Sequence, residues 1–178
     1  MSRLRTLYTA EQIAAAVDSA AERVLARFGA EEEVLVLVLL NGAMMYAADL
    51  LRRLPANYRF CTVSVSSYGA GTESSGTLTW KTPMPFVEGQ RVLVVDDVLD
   101  SGLTLATLFR ELRTGGAAEV AATVAVDKPA RRTCEVPDVI AALCEPRDLF
   151  LVGYGMDWGE RYRNLPEIAE LVMGEETP

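Results

Sequence analysis

The chain contains no histidine. That absence removes Ser-His-Asp and Cys-His nucleophilic catalysis, histidine-ligated metals and histidine general bases, so acid-base work falls to carboxylates or lysine. Cysteine is scarce. Cys61, Cys134 and Cys144 are odd in number, scattered and without a C-x-x-C pair, which argues against both a disulfide framework and a zinc site. No Walker A sequence occurs, and Gly69-Ala70-Gly71-Thr72-Glu73-Ser74 offers G-x-G without the third glycine of a dinucleotide fingerprint. Basic residues are in deficit: the net charge of −8 disfavours nonspecific nucleic-acid binding, where phosphate neutralisation dominates affinity. Anionic ligands would need local cations or a divalent metal. The longest apolar run, 34–40, falls far short of the ~20 residues that span a bilayer, and residues 1–9 lack an apolar signal core. No membrane partner and a cytoplasmic location are therefore expected.

The 178 residues suit one domain, 1–178, with a substantial core. Thr9 and Gln12 form a capping-box pattern, and Ile13, Val17, Ala20, Ala21, Val24, Leu25 and Phe28 share one helical face before Gly29. Residues 34–40 read as a buried strand, followed by Asn41-Gly42 and a helical spacing over 43–54. A third strand is predicted at 60–65, and 66–76, rich in Ser and Gly with no apolar face, reads as a mobile loop. A short return strand at 78–80 and strands at 90–95, 120–126, 139–143 and 149–152 complete the pattern. Alternation of strands and helices predicts an α/β fold with a mostly parallel sheet flanked by helices.

The densest chemistry lies in 92–104. An apolar strand runs into Asp96-Asp97, then Asp100-Ser101-Gly102-Leu103-Thr104, which opens a helix-compatible run over 105–113. The Ser-Gly-x-Thr turn supplies backbone N–H groups, two hydroxyls and a helix N-terminus, the means of holding a phosphate dianion. Carboxylates suit sugar hydroxyls or Mg²⁺ instead. Asp96 and Asp97 are expected at the strand's carboxyl end, where open α/β sheets bind ligands. Sugar, phosphate and metal together point to a phosphoribosyl compound.

This segment resembles the diphosphoribosyl-pyrophosphate motif of type I phosphoribosyltransferases, and Asp100 places the resemblance in their hypoxanthine-guanine branch. The resemblance implies a core sheet with a small hood built from the terminal segments, and a flexible loop at Ser67 and Tyr68. It implies that Asp96 and Asp97 hold the ribose and adjoining Mg²⁺, that Asp100 to Thr104 cradle the 5′-phosphate, and that Asp100 acts at purine N7. Asp127-Lys128-Pro129 is similar to the family segment whose lysine, here Lys128, donates to the purine 6-oxygen. Phe150-Leu151-Val152-Gly153-Tyr154-Gly155-Met156-Asp157 resembles the family's base-binding segment: Phe150 would stack on the base, the Leu151 backbone would meet its edge, and Asp157 would bind Mg²⁺. Arg132, by spacing, and Arg163 match arginines on the pyrophosphate side, as does the loop at Asn41 and Gly42. The implied partners are a purine base and phosphoribosyl pyrophosphate, in a homodimer or homotetramer.

The pattern departs from the family at three places. Asn41 stands where a Lys or Arg is usual, Cys144-Glu145-Pro146-Arg147-Asp148 replaces Glu-Ile-Pro-Asp, and Asp96 replaces the commoner Glu. The expected activity is conversion of hypoxanthine or guanine to IMP or GMP with release of pyrophosphate. A weakly catalytic nucleotide sensor, or a transferase acting on xanthine or another purine, stays open beside it.

Overall fold

The computed structural model describes residues 3–67 and 78–172. Its elements in chain order are β1 (Arg3–Tyr8), α1 (Ala10–Phe28), β2 (Val34–Leu39), α2 (Met44–Leu51), β3 (Tyr58–Val63), β4 (Val65–Ser67) and β5 (Leu78–Trp80). There follow β6 (Arg91–Leu99), α3 (Leu103–Thr114), β7 (Glu119–Asp127), a 3₁₀ turn (Pro129–Arg131), β8 (Val139–Cys144), β9 (Leu151–Val152) and β10 (Ile168–Val172). The capping box forms as read from the sequence: Gln12 N donates to Thr9 Oγ1 and Thr9 N to Gln12 Oε1. Among the described residues no helix is long and apolar enough to cross a membrane.

Five strands make a parallel sheet in the order β3-β2-β6-β7-β8. The side chains of β2 and β6 point alternately to its two faces. Val36, Val38, Leu93 and Val95 pack under α1 and α2, whereas Leu35, Leu37, Val92 and Val94 pack under α3. Burial on both faces explains why β2 is an unbroken apolar run. Tyr46 of α2 reaches through this core, its Oη 2.5 Å from Thr123 Oγ1; burial pushes its phenol up to about 12.

The connection from β2 runs outward to β3, whereas that from β6 runs the opposite way to β7. The direction of winding therefore reverses between β2 and β6, and ligands of such sheets bind beyond the strand ends at this point. Register sharpens the crevice. β6 pairs with β2 only as far as Val95↔Val38, but with β7 on to Leu99↔Asp127. Asp96, Asp97 and Val98 thus overhang with one side of the strand unpaired to β2.

A second, antiparallel sheet of order β1-β10-β9 joins the two ends of the described chain, with Arg5 and Glu170 paired across it at 2.5 Å. This is the hood that the resemblance implies. Individual strands at Arg3–Tyr8 and Ile168–Val172 are not legible locally, because their pairing spans the whole chain.

Other boundaries shift for local reasons. The strand predicted at 90–95 continues through both aspartates to Leu99 because β7 still offers a ladder there, so Asp96 and Asp97 stand inside the strand. The strand predicted at 60–65 breaks at Ser64, where the chain leaves the parallel sheet and β4 pairs antiparallel with β5. The helix predicted over 43–54 stops at Leu51, ahead of Pro55, whose ring disfavours helical backbone in the residue before it. The strand predicted at 149–152 belongs to the hood rather than to the main sheet. In the loop predicted at 66–76, Ser66 and Ser67 belong to β4, while Tyr68 and 69–77 lie outside the described residues.

Candidate active site

Two cavities meet at the overhang of β6. The smaller, about 80 Å³, is lined by Asp96, Val98, Leu99, Asp100 and the turn residues Ser101, Gly102 and Thr104. Gly102 takes φ 88 as the N-cap of α3, and a Cβ there would stand 2.7 Å from the Cys134 carbonyl oxygen, so both backbone and space require glycine. Ser101 Oγ accepts from Leu103 N at 3.4 Å. The turn and the start of α3 therefore line one concavity at the helix's N-terminal end, where the dipole favours an anion.

The larger cavity, about 220 Å³, is lined by Asp97, Val98, Asp100, Lys128, Arg131, Phe150, Leu151, Met156 and Asp157. Five residues predicted from separate segments for the base, Asp100, Lys128, Phe150, Leu151 and Asp157, meet here. Lys128 is buried at the end of β7, with Asp148 Oδ1 3.9 Å from its Nζ. Phe150 is 47% exposed, an unusual setting for a phenyl ring, and meets Trp158 edge-on at 5.2 Å. Asp100 Oδ1 is buried and has no hydrogen-bond partner among the described residues. A buried carboxylate oxygen without a donor is costly unless a ligand supplies one.

Asp96 and Asp97 form a stacked carboxylate pair. Asp97 N donates to Asp96 Oδ1 at 2.9 Å and Val98 N to Asp97 Oδ1 at 2.8 Å. Burial, reinforced by the Asp97 charge, holds the Asp96 carboxyl well above the usual carboxylate range. Such a group destabilises the ionised apo fold: the stability it contributes is full below its unfolded value near 3.8 and is lost as pH rises through the folded value. Asp96→Asn keeps the Oδ1 acceptor and removes the charge. Its thermal midpoint at pH 7.5 should therefore rise by about 3 °C or more. A midpoint below that of the wild type in differential scanning calorimetry would refute the assignment.

The loop after β2 carries a cis peptide at Leu40-Asn41 and brings Gly42 against β6. A Cβ on Gly42 would stand 1.8 Å from Asp97 Oδ2, and one on Gly155 would stand 2.0 Å from the Gly42 carbonyl oxygen. Gly42 is thus pressed between the carboxylate pair and the hood. Asn41 is exposed and lines neither cavity.

The two predicted pyrophosphate arginines are placed differently from each other. Arg163 is paired with Asp157 at 2.7 Å and donates to the Gly155 carbonyl at 2.7 Å, while Glu160 N donates to the other Asp157 oxygen at 2.7 Å. Arg132 lines neither cavity; its guanidinium is taken up by the Leu99 and Asp100 carbonyls and by Asp127. The arginine that does face the base-side cavity is its neighbour Arg131, 4.0 Å from Asp100 Oδ2. Spacing favours Arg132, whereas Arg131, the last residue of the 3₁₀ turn, is the more exposed of the two, at 63% against 18%.

Glu145 lies just ahead of the base-side segment and is buried, but Arg147 grips both of its oxygens at 2.7 and 2.8 Å. That side-chain bonding holds the Glu145 carboxyl below its ordinary value of 4.5. Stability from this pair is therefore present above pH 4.5 and lost as pH falls through the depressed folded value. In Arg147→Ala the buried carboxyl loses its cation and rises instead. Thermal midpoints measured against pH should show the widest gap between wild type and variant near neutrality, narrowing below pH 4.5; a gap independent of pH would exclude the pairing as its cause.

Comparison with known proteins follows the geometry. A family model described as the phosphoribosyl transferase domain matches residues 4–157. The hypoxanthine-guanine phosphoribosyltransferase of Aquifex aeolicus is 37% identical over 93% of this chain and 93% of that protein. Its counterpart in Mycobacterium avium is 36% identical over 93% of this chain and 84% of that protein. Among solved structures, a hypoxanthine-guanine phosphoribosyltransferase of Bacillus anthracis superposes with TM-score 0.88 at 34% identity, covering 96% of this chain and 100% of that one. A hypoxanthine phosphoribosyltransferase of Staphylococcus aureus also gives 0.88, at 29% identity over 94% and 91% of the two chains.

Proposed function

The chain belongs to the phosphoribosyl transferase domain family, and from that premise we propose that it salvages a 6-oxopurine. Hypoxanthine or guanine would attack C1 of phosphoribosyl pyrophosphate through N9, forming the N9–C1 bond of IMP or GMP as the C1–O bond to pyrophosphate breaks. The observation that carries this reading is the unpartnered, buried Asp100 Oδ1 beside the Lys128 ammonium and the exposed Phe150 ring in one cavity. An oxopurine offers each of them its complement: an N7–H donor, a 6-oxygen acceptor and a π face. Adenine would set its amino group against the Lys128 donor, a mismatch that buried sites discriminate against strongly.

In this reading Asp100 accepts the N7 proton and makes N9 the better nucleophile. Asp96 and Asp97 receive the ribose hydroxyls, and the turn from Ser101 to Thr104 holds the 5′-phosphate. Arg131, which lines the base-side cavity, and Arg163, released from Asp157, would meet the leaving group, with the Gly42 loop beside Asp97. Oxygen donors suit Mg²⁺, which takes one or two carboxylates together with water and phosphate oxygens. Asp97 and Asp157, which line one cavity, and Asp96, which lines the adjoining one, would hold the ion jointly with the substrate. Bound there, Mg²⁺ supplies charge neutralisation for the departing pyrophosphate. We further read residues 1–178 as one domain, acting in the cytoplasm as a homodimer or homotetramer.

The test is nucleotide formation with Mg²⁺, phosphoribosyl pyrophosphate and, separately, hypoxanthine, guanine, xanthine and adenine at saturating concentrations. Turnover with hypoxanthine or guanine and none with adenine is expected. Preference for xanthine would move the base assignment, and nucleotide binding without turnover would favour the sensing alternative that Asn41 leaves open.

A further inference from the structure

We infer that Arg132 is a positioning residue, a clamp that fixes the phosphate turn and Asp100 relative to Lys128, rather than a contact for the leaving pyrophosphate. The inference rests on the functional reading above. Arg132 Nε donates to the Asp100 carbonyl at 2.8 Å and Nη2 to the Leu99 carbonyl at 3.0 Å, and Nη2 also pairs with Asp127 Oδ1. Its side chain is only 18% exposed, whereas that of Arg131 is 63% exposed. The stem packs on the turn as well, since a Cβ at Gly102 would lie 3.1 Å from Arg132 Cδ.

The neighbours of Arg132 tie the same two segments. Lys128 N donates to the Leu99 carbonyl at 2.9 Å, and Thr133 N and Cys134 N both donate to the Ser101 carbonyl, at 3.0 and 3.2 Å. Residues 127–134 therefore wrap 99–102, with the guanidinium at the centre. Two consequences follow for the reacting groups. Drawing the Asp100 carbonyl toward Arg132 sets the plane of that residue's backbone, which leaves its side chain aimed into the base-side cavity with Oδ1 unspent. Neutralising Asp127, next to Lys128, leaves the lysine to be directed by the base and by Asp148 rather than by the end of its own strand. Lysine cannot replace the clamp, because one ammonium cannot present a planar fork to three acceptors on two chain segments.

The test compares wild type, Arg132→Lys, Arg132→Ala and Arg131→Ala, with pyrophosphate kinetics in the reverse direction and thermal midpoints as a check on folding. For Arg132→Lys, kcat is expected to fall about tenfold or more, since displacement of catalytic groups by about 1 Å has effects of this size or larger. Its KM for pyrophosphate should change less than about threefold, and added guanidinium ion should restore part of the kcat of Arg132→Ala. For Arg131→Ala the larger change should be in KM. A preserved kcat in Arg132→Lys, with or without a raised KM for pyrophosphate, would overturn the clamp. Amide hydrogen exchange reads it without turnover: exchange at Lys128, Thr133 and Cys134 should accelerate in Arg132→Lys, and unchanged exchange would also overturn it. An inactive wild type would instead count against the functional reading, and the exchange result would still decide the clamp.

Discussion

Asp100→Asn should lower kcat for nucleotide formation by about 100-fold or more, the scale of a lost general base, while leaving the affinity for product nucleotide within about threefold. The substitution is isosteric, and the contacts that set the residue's backbone do not involve its carboxyl group: Arg132 holds the Asp100 carbonyl at 2.8 Å. An amide oxygen in the place of Oδ1 can still accept a hydrogen bond from N7, so the bound base keeps its orientation. It cannot keep the proton. The fold should not suffer, because with the amide oxygen at Oδ1 the atom exchanged is Oδ2, whose only ion pair among the described residues is the exposed one with Arg131 at 4.0 Å, a contact that contributes little. Steady-state kinetics with hypoxanthine, paired with calorimetric titration of IMP, separate the two effects. Turnover within twofold of the wild type would remove Asp100 from proton transfer, whereas equal losses in turnover and binding would make it a binding group alone.

How much of this was legible beforehand follows from which interactions are local. The cap at Thr9, the helix stop at Gly29 and the strand at β2 depend on neighbours within a few residues, and each lies where the sequence places it. The turn at Ser101 to Thr104 is similarly local, since its glycine and helix start are written in adjacent positions. The hood strands are not: Arg3 meets Val172 across the full chain, and neither segment has an apolar rhythm that would announce it. Lys128, Phe150 and Asp157 are marked by their order in two motifs, but their convergence on Asp100 is a product of sheet order, which no local period encodes. The difference in placement between Arg131 and Arg132 is subtler still. Both belong to one charged dipeptide, and only the 3₁₀ turn at Pro129 decides which guanidinium turns inward to the carbonyls. Gly42 was legible as a turn glycine, but the reason for it is steric and distant in sequence, the Asp97 carboxylate.

That contact gives the second large effect. Gly42→Ala should reduce kcat/KM for phosphoribosyl pyrophosphate by about 100-fold, although alanine is the smallest side chain that can be added. The backbone of Gly42 is not among the positive-φ glycines, so the penalty is one of space. The new methyl would stand 1.8 Å from Asp97 Oδ2 and 2.5 Å from its Cγ. Neither side yields easily. Asp97 Oδ1 is held by the Val98 amide at 2.8 Å within β6, and the loop is backed by Gly155, whose own Cα approaches the Gly42 carbonyl too closely to admit a Cβ. Relief must therefore displace the carboxylate or the loop by an ångström or more, enough to misplace the groups proposed above to receive the ribose and the pyrophosphate. Overpacking of this kind costs about 1–3 kcal/mol, which should show as a thermal midpoint a few degrees lower. The double variant Gly42→Ala with Asp97→Ala separates the causes. If the clash is the reason, the second change restores the thermal midpoint through a favourable coupling between the sites while activity stays lost. Strictly additive midpoint losses would place the fault elsewhere in the loop.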